Sequence, residues 1–452
     1  MMTLQERFRR FVDLHGLFSP GDCILLGFSG GADSMCLLSL LVEEPVRVVA
    51  AHLDHRLRPE SGEEAKRCRE LATSVGVEFV CDGVDVRALA KHEGVGIEEA
   101  GRLARYAFFE KARQQVCAQL IATAHTLDDH VETMLLNLAR GAGMRGLSGI
   151  PVRRDAIVRP LLFARKSETE AFCRERGFDF IQDPSNLDEA HARVRARQRV
   201  LPAFEHLHPG AVDNAARTAA ILRDEDALLD SLARFELSVA REVRNHPLSR
   251  WISRHHARYE RARLAALPVA LRRRAVVLAV REMGGSPTFE IADALAAALA
   301  NAERMGANVE QGVLAQVTGV ALVVKNRRRV EPLEQRLGVP GVVSGEGWRI
   351  VAVGGSTPRR VGRRALVQAV RASLCDSLSV RFACRGDSIR IGSRERKLLP
   401  ALKAEGIPVE ARIRLPVVAN ALGVVWAPGL GVAERARSRS GEAVVSLRFE
   451  AL

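Results

Sequence analysis

The sequence predicts an α/β fold: a doubly wound parallel sheet, then a mostly helical domain, then a small α+β C-terminal domain. Three observations predict it. Apolar runs of strand length alternate with helical stretches of ten to twenty residues between Asp22 and Thr126. Those runs are apolar nearly throughout, as strands covered on both faces must be. After Pro202 the alternation stops and Ala-, Leu- and Arg-rich stretches take over. At roughly 150 residues per domain, 452 residues suggest about three domains, placed at 1–210, 211–335 and 336–452.

Taken in order, Phe8, Phe11, Val12 and Leu14 suit an amphipathic N-terminal helix. DCILLGF (22–28) reads as the first strand, and MCLLSLLVEE as the helix after it. RVVAAHLDH is a second strand, SGEEAKRCRELATSVG a polar helix and EFVCDGVDV a third strand. GIEEAGRLARYAFFEKARQQVC is a long helix, and AQLIATAHT a fourth strand. Cys36, Cys117, Phe108 and Phe109 read as core. Residues 211–305 read as helices broken at Gly284–Pro287, and 312–335 as short strands around a basic turn, Lys325–Arg329. Residues 336–372 mix Gly, Val and Arg without a clear period, and short strands with Gly/Pro turns resume from Ser379.

Composition narrows the class. The chain is 47% hydrophobic and 27% charged, as globular proteins are. Aromatics are only 5%, too few for stacking platforms to be the first reading. The net charge of +13 is uneven: residues 1–210 hold 28 Lys+Arg against 30 Asp+Glu, leaving 39 against 24 beyond. The second half therefore carries the whole excess, which suits a polyanionic partner such as RNA or, equally, an Arg-rich solvated surface. Eight cysteines include no CxxC pair and no zinc spacing, so they read as reduced, mostly buried thiols of a cytosolic protein. The N-terminus lacks a signal-peptide core, and the apolar stretch Leu415–Ala433 is broken by Pro and Gly, which predicts strands and turns rather than a membrane span.

The strongest local signal is SGGADS, Ser29-Gly30-Gly31-Ala32-Asp33-Ser34, between the first strand and the first crossover helix. Two glycines allow a sharp turn and close approach of a ligand. The N–H groups of the helix start form an anion site. Ser29 and Ser34 add hydroxyl donors, and Asp33 is the candidate Mg²⁺ ligand beside bound phosphates. The loop is neither a Walker A sequence nor GxGxxG. A plain Gly-rich turn with a Ser cap is the alternative.

SGGADS resembles the loop of the PP-loop (N-type ATP pyrophosphatase) superfamily, adenine nucleotide hydrolase-like in fold, whose members cleave ATP between its α and β phosphates and adenylate an oxygen of a substrate. Further stretches resemble the tRNA(Ile)-lysidine synthase family. They are His52-Leu53-Asp54-His55-Arg56-Leu57-Arg58, with Arg56 in place of glycine; Ala104-Arg105-Tyr106-Ala107-Phe108-Phe109; and Ala124-His125-Thr126-Leu127-Asp128-Asp129-His130-Val131-Glu132-Thr133, which departs at Thr126 and His130. Arg159-Pro160-Leu161-Leu162 and Asp183-Pro184-Ser185-Asn186 follow, and RVRARQRVLP departs at Val194 and Ala196. CRGDSIRIGSRERKLLPALKAEGIPVEARIRLPVV resembles the family's small terminal domain. The likeness covers 20–205 closely and 380–435 clearly.

The resemblance implies a cytoplasmic ligase that uses ATP and Mg²⁺. It joins lysine to C2 of the wobble cytidine of tRNA(Ile) with a CAU anticodon, through an adenylated cytidine, changing the codon read from AUG to AUA and the amino-acid identity from methionine to isoleucine. It calls for no protein partner and no membrane. Ser29 to Ser34 would bind ATP, and Asp33, Arg105, His125, Asp129 and Glu132 would carry the chemistry. The residues allow this. Asp129 and Glu132, three apart, share a helix face and can bind a cationic amine, or serve only as dipole-favoured carboxylates. His125 at a strand end suits an active site. Arg105 can stabilise phosphate charge or simply lie on a helix surface. The basic residues Arg327–Arg329, Arg394, Arg396 and Lys397 would place the tRNA. The alternatives are another PP-loop enzyme (a thiolase, a GMP or an NAD synthetase) or a non-catalytic RNA-binding protein.

Overall fold

The computed structural model describes residues 2–57, 61–181, 192–355, 365–438 and 442–452. Asp183–Asn186 and Arg58, part of two of the segments above, lie outside them. The chain divides into two compact units, 1–227 and 228–452, with the division inside one long helix, Ala211–Ala240.

The first unit is built on β1 (Cys23–Gly27), β2 (Arg47–Asp54), β3 (Glu78–Gly83), β4 (Leu120–Thr123), β5 (Arg153–Arg154) and β6 (Ile157–Val158), in the order β3-β2-β1-β4-β6-β5. Every pairing is parallel except β5 on β6. Period-two alternation sorts the strand residues onto two faces. Ile24, Leu26, Val48, Ala50, Leu120 and Ala122 face one core, with Phe8 and Val12 of α1 (Leu4–His15), Leu37 and Leu41 of α2 (Ala32–Val42), Cys68 of α3 (Ser61–Ser74) and Phe172 downstream. Leu25, Val49, Ala51, Leu53 and Ile121 face the other, with Phe108, Phe109 and Ala112. The doubly wound parallel fold is thus present, with an antiparallel edge. Chain order runs outward from β1 to β3 and then jumps back to β4, so the sheet has its switch point between β1 and β4, where ligands of such sheets bind.

Several expected details change. The third strand ends at Gly83; Asp85 caps a short helix, α4 (Val86–Glu93), its carboxylate accepting from Ala88 N. As an edge strand, β3 is only partly buried. The long helix is α5 (Ile97–Gln115), and α6 (Leu127–Ala139), α7 (Met144–Leu147) and α8 (Lys166–Glu175) follow it in the chain. Cys117, expected in the core, is exposed at its C-terminal turn with φ +55°. Leu14 on α1 is likewise exposed.

The second unit holds two cores. In the first, helices Val269–Glu282 and Phe289–Asn301 pack on a four-stranded antiparallel sheet, His256–Glu260, Ala321–Asn326, Val313–Val317 and Met305–Val309 in spatial order. His256–Glu260 falls in a region expected to be helical; only Ala257 and Tyr259 are buried, and their arginine and glutamate neighbours hide so short an alternation in the sequence. The hairpin turns at Thr318–Val320, not in the basic stretch, which follows the second strand. The second core is antiparallel β. A five-stranded sheet (Glu334–Leu337, Leu378–Phe382, Pro416–Asn420, Gly423–Ala427, Gly431–Val432) and a four-stranded one (Gly341–Gly345, Trp348–Gly354, Val444–Ala451, Val367–Arg371) bury Trp348, Trp426 and Phe449, with the short helices Ser249–Ser253, Leu398–Ala404 and Val409–Arg412. Leu415–Ala433 forms strands and turns, as expected. No helix among the described residues is long and apolar enough to cross a membrane.

Candidate active site

Residues from four segments meet at the carboxyl ends of β1 and β4. The loop after β1 turns at Gly30, whose φ is +73°. A Cβ there would lie 2.6 Å from Ile181 Cδ1 and 3.0 Å from Cys68 Sγ, so glycine is required on both counts. Gly31 opens α2 without a side-chain cap, which leaves the first-turn N–H groups to an incoming acceptor. A Cβ on Gly31 would meet nothing closer than 3.6 Å, so room exists beside the backbone. Ser34 is buried, its hydroxyl donating to Gly31 O at 2.9 Å and lying 3.3 Å from Ser29 Oγ. The loop thus presents backbone and hydroxyl donors of the kind an anion needs.

Asp33 stands in the first turn of α2. Burial pushes its carboxyl up to about 6 and Asp129 adds to the rise, against the pull of Lys166, Thr169 and Arg197. Thr169 Oγ1 donates to it, and Lys166 Nζ lies 3.7 Å away. Both partners belong to α8, here Lys166–Glu175.

The loop after β4 supplies His125 and starts α6 (Leu127–Ala139). Thr126 and Asp129 form a capping box, Asp129 Oδ2 accepting from Thr126 N at 3.0 Å and from its hydroxyl at 2.9 Å. The other oxygen of Asp129 faces Lys166 Nζ at 3.1 Å and Arg197 at 3.5 Å. Burial pushes Asp129 up, but Lys166, His125 and the two Thr126 hydrogen bonds together hold it well below the usual carboxylate range. Asp128 accepts from the Lys166 backbone N–H at 2.7 Å, fixing the start of α8 on this loop.

Glu132 lies on the same side of α6 as Asp129, as the spacing predicted, but it is fully buried and already paired. Arg197 grips it with two hydrogen bonds, 2.6 and 3.2 Å. Burial still leaves its carboxyl raised. Arg197 sits in a π-helical segment, Ala196–Val200, of the kind that recurs at functional sites. His125 is half-buried, its Nδ1 2.9 Å from Thr123 Oγ1. Burial pushes it down to about 4, Asp129 opposes that, and the charges of Arg159, Arg193 and Arg105 add to it, so the ring is neutral at pH 7. Arg105 reaches the site from α5. The residue is exposed as a whole, but burial of its guanidinium lowers that group's pKa; it donates to His55 Nε2 at 3.3 Å, which leaves the His55 proton on a buried Nδ1 with no partner among the described residues.

The structure therefore brings Asp33, His125, Asp129 and Glu132 together beside the phosphate cradle, with Arg105 at its edge. Two cations that join the carboxylates, Lys166 and Arg197, were not expected. Lys166 stands in none of the segments quoted above, and Arg197 lies within RVRARQRVLP without being singled out there; only the fold brings α8 and the π-helical segment to the carboxylates. No group of three or more His, Cys, Asp or Glu side chains fit to hold a metal occurs among the described residues. The carboxylates of Asp33 and Asp129 are the hard oxygen donors that suit Mg²⁺, which completes its shell with water and phosphate.

The PP-loop domain family matches residues 2–204, and the TilS substrate C-terminal domain family matches 378–449. A tRNA(Ile)-lysidine synthase of Geobacter sulfurreducens is 43% identical over 233 residues, which is 50% of this chain and 50% of that protein. One of Thermus thermophilus is 34% identical over 349 residues, 77% of this chain and 64% of the relative. One of Geobacillus kaustophilus is 29% identical over 472 aligned positions, 99% of each. The alignment thus spans about half the length of the first relative and nearly all of the last. With a PP-loop domain match at the switch point of its sheet and a TilS-type module at its C-terminus, the chain is similar along its length to the tRNA(Ile)-lysidine synthases.

Proposed function

We propose that this chain joins lysine to C2 of the wobble cytidine in tRNA(Ile) bearing a CAU anticodon, consuming ATP and releasing AMP and pyrophosphate. The observation that carries the reading is the meeting of an anion cradle with buried carboxylates at one switch point. One binds phosphates and the other binds cations, and the reaction needs both.

Ser29 to Ser34 and the start of α2 hold the ATP phosphates, and Asp33 would hold Mg²⁺, whose charge would neutralise the phosphates. The O2 carbonyl oxygen of cytidine attacks the α-phosphorus, and pyrophosphate leaves. Adenylation turns that oxygen into a leaving group, so an amine can attack C2 and AMP departs. The incoming lysine is held through one of its ammonium groups by Asp129, with Glu132 keeping Arg197 in place beside it. Lysine's ε-amine is protonated at neutral pH. His125, neutral at that pH, is the proton acceptor, and Arg105 stabilises negative charge at the cradle's edge. In the second unit Arg327 and Arg329 are exposed at a cleft of about 580 Å³, while Arg328 is tied to Gln311 O. Arg327 and Arg329, with Arg394, Arg396 and Lys397, contact tRNA phosphates. The test is mass analysis of tRNA(Ile) after incubation with protein, ATP and lysine. Conversion of one cytidine to lysidine, dependent on all three, supports the reading; unchanged tRNA with intact protein overturns it.

A further inference from the structure

Lys166 is the unexplained member of the site. Its backbone is pinned, its N–H donating to Asp128 at the first turn of α8, so only the side chain is free to move. Its ammonium sits between two carboxylates that come from different strands' ends, 3.1 Å from Asp129 and 3.7 Å from Asp33. All three side chains are largely shielded, with 24% (Lys166), 13% (Asp129) and 26% (Asp33) of their surface exposed. Two carboxylates confined this closely do not both stay ionised without a cation between them. Arg197 lies 3.5 Å from Asp129, but its two hydrogen bonds hold it on Glu132, which leaves Lys166 as the cation within ion-pair distance of both Asp33 and Asp129 among the described residues. A lysine is suited to a removable role. It is a compact charge on a flexible four-carbon stem, where an arginine fork would lock on.

We propose that Lys166 is the site's resident cation. Its ammonium neutralises Asp33 and Asp129 while the phosphate cradle is empty, and it turns to the phosphates when ATP enters, freeing the carboxylate pair for the incoming cation. Lys166 thereby imposes an order, ATP before the cation. The proposal rests on the phosphate and cation sites of the proposed function and adds the residue that couples them. The phosphates have only a short way to draw it, since Asp33 lies in the first turn of the helix whose N–H groups form the cradle. A swing of one side chain is all that is required.

The experiment uses the full chain without nucleotide and Mn²⁺ as the probe, its binding followed by electron paramagnetic resonance at pH 8. Lys166→Met removes the charge at similar length, and Lys166→Gln removes it while keeping a hydrogen-bond donor. Both are expected to bind Mn²⁺ at least tenfold more tightly than wild type, whereas Lys166→Arg should not. In steady-state pyrophosphate release, the KM for ATP should rise in the Met and Gln variants, because a phosphate ligand is lost. A gain in metal affinity cannot come from misfolding, so a merely structural lysine would not produce it. Equal Mn²⁺ affinity in wild type and both neutral variants would overturn the proposal, as would an unchanged KM for ATP. The Mn²⁺ measurement does not involve tRNA, so a failure to form lysidine falls on the proposed function alone.

Discussion

Replacing Arg197 by Met should leave Glu132 as a buried carboxylate without a counter-charge, and the size of the effect follows from the geometry. Glu132 is fully buried and holds Arg197 by two hydrogen bonds. Breaking a buried pair from one side costs about 3–5 kcal/mol. The Arg197 side chain keeps 28% of its exposure, which places the loss at the lower end, about 3 kcal/mol. The pH dependence follows in sign. The Glu132 carboxyl is already raised by burial in the folded protein, and loss of Arg197 raises it further. A carboxyl raised on folding binds its proton more tightly in the folded state. Its destabilising contribution is therefore absent below the unfolded value and grows as pH climbs through the folded one. The variant should be far weaker at pH 8 and recover much of the loss as pH falls toward 5. All three tryptophans, Trp251, Trp348 and Trp426, lie in the second unit, so their fluorescence does not report this site. Amide hydrogen exchange along α6 does. A loss of about 3 kcal/mol should speed exchange there about a hundredfold at pH 8, with tryptophan emission as the control that the second unit stays folded. The double variant Arg197→Met, Glu132→Gln, which removes both charges, should regain most of the protection. An equal loss at pH 5 and pH 8, or no recovery in the double variant, would refute the argument.

Asp33→Asn should abolish pyrophosphate release while tRNA affinity, set mainly by the basic second half, stays within twofold in a filter-binding assay; equal loss of both would make Asp33 a folding residue. Gly30→Ala places a Cβ 2.6 Å from Ile181 in a left-handed turn, so ATP affinity measured by calorimetry should fall at least tenfold, and wild-type affinity would contradict the cradle. Asp129→Asn should raise the KM for lysine at least tenfold with a smaller effect on adenylation of the tRNA, and an unchanged KM would remove Asp129 from the amine site. Arg327→Gln with Arg329→Gln should weaken tRNA binding and reduce the slope of log affinity against log salt by about two, one per lost phosphate contact; an unaltered slope would assign those arginines to the surface alone. Truncation at 380 is the poorer test, because strand Val444–Ala451 pairs along all of Trp348–Gly354 and its removal would open that core.

The sequence by itself determined the parts whose signal is local. Strand-length apolar runs marked β1, β2 and β4, because burial on both faces leaves few polar positions, and those at the strand ends. SGGADS marked the cradle, because a left-handed turn feeding a helix start demands glycine at Gly30. The spacing of Asp129 and Glu132 placed both on one side of a helix, because three residues make nearly one turn. Only the tertiary structure decided what those carboxylates face. Lys166 and Arg197 lie far from them along the chain, and no short-range pattern reports a contact made by folding α8 and the π-helical segment back over β1 and β4. Strand His256–Glu260 was hidden for a related reason. It is one turn of alternation flanked by charge, and it is a strand because Ala321–Asn326 lies beside it to accept its hydrogen bonds. Cys117 shows the reverse: an apolar residue near a buried helix face is carried out to solvent by a left-handed turn, a single backbone angle that composition does not encode.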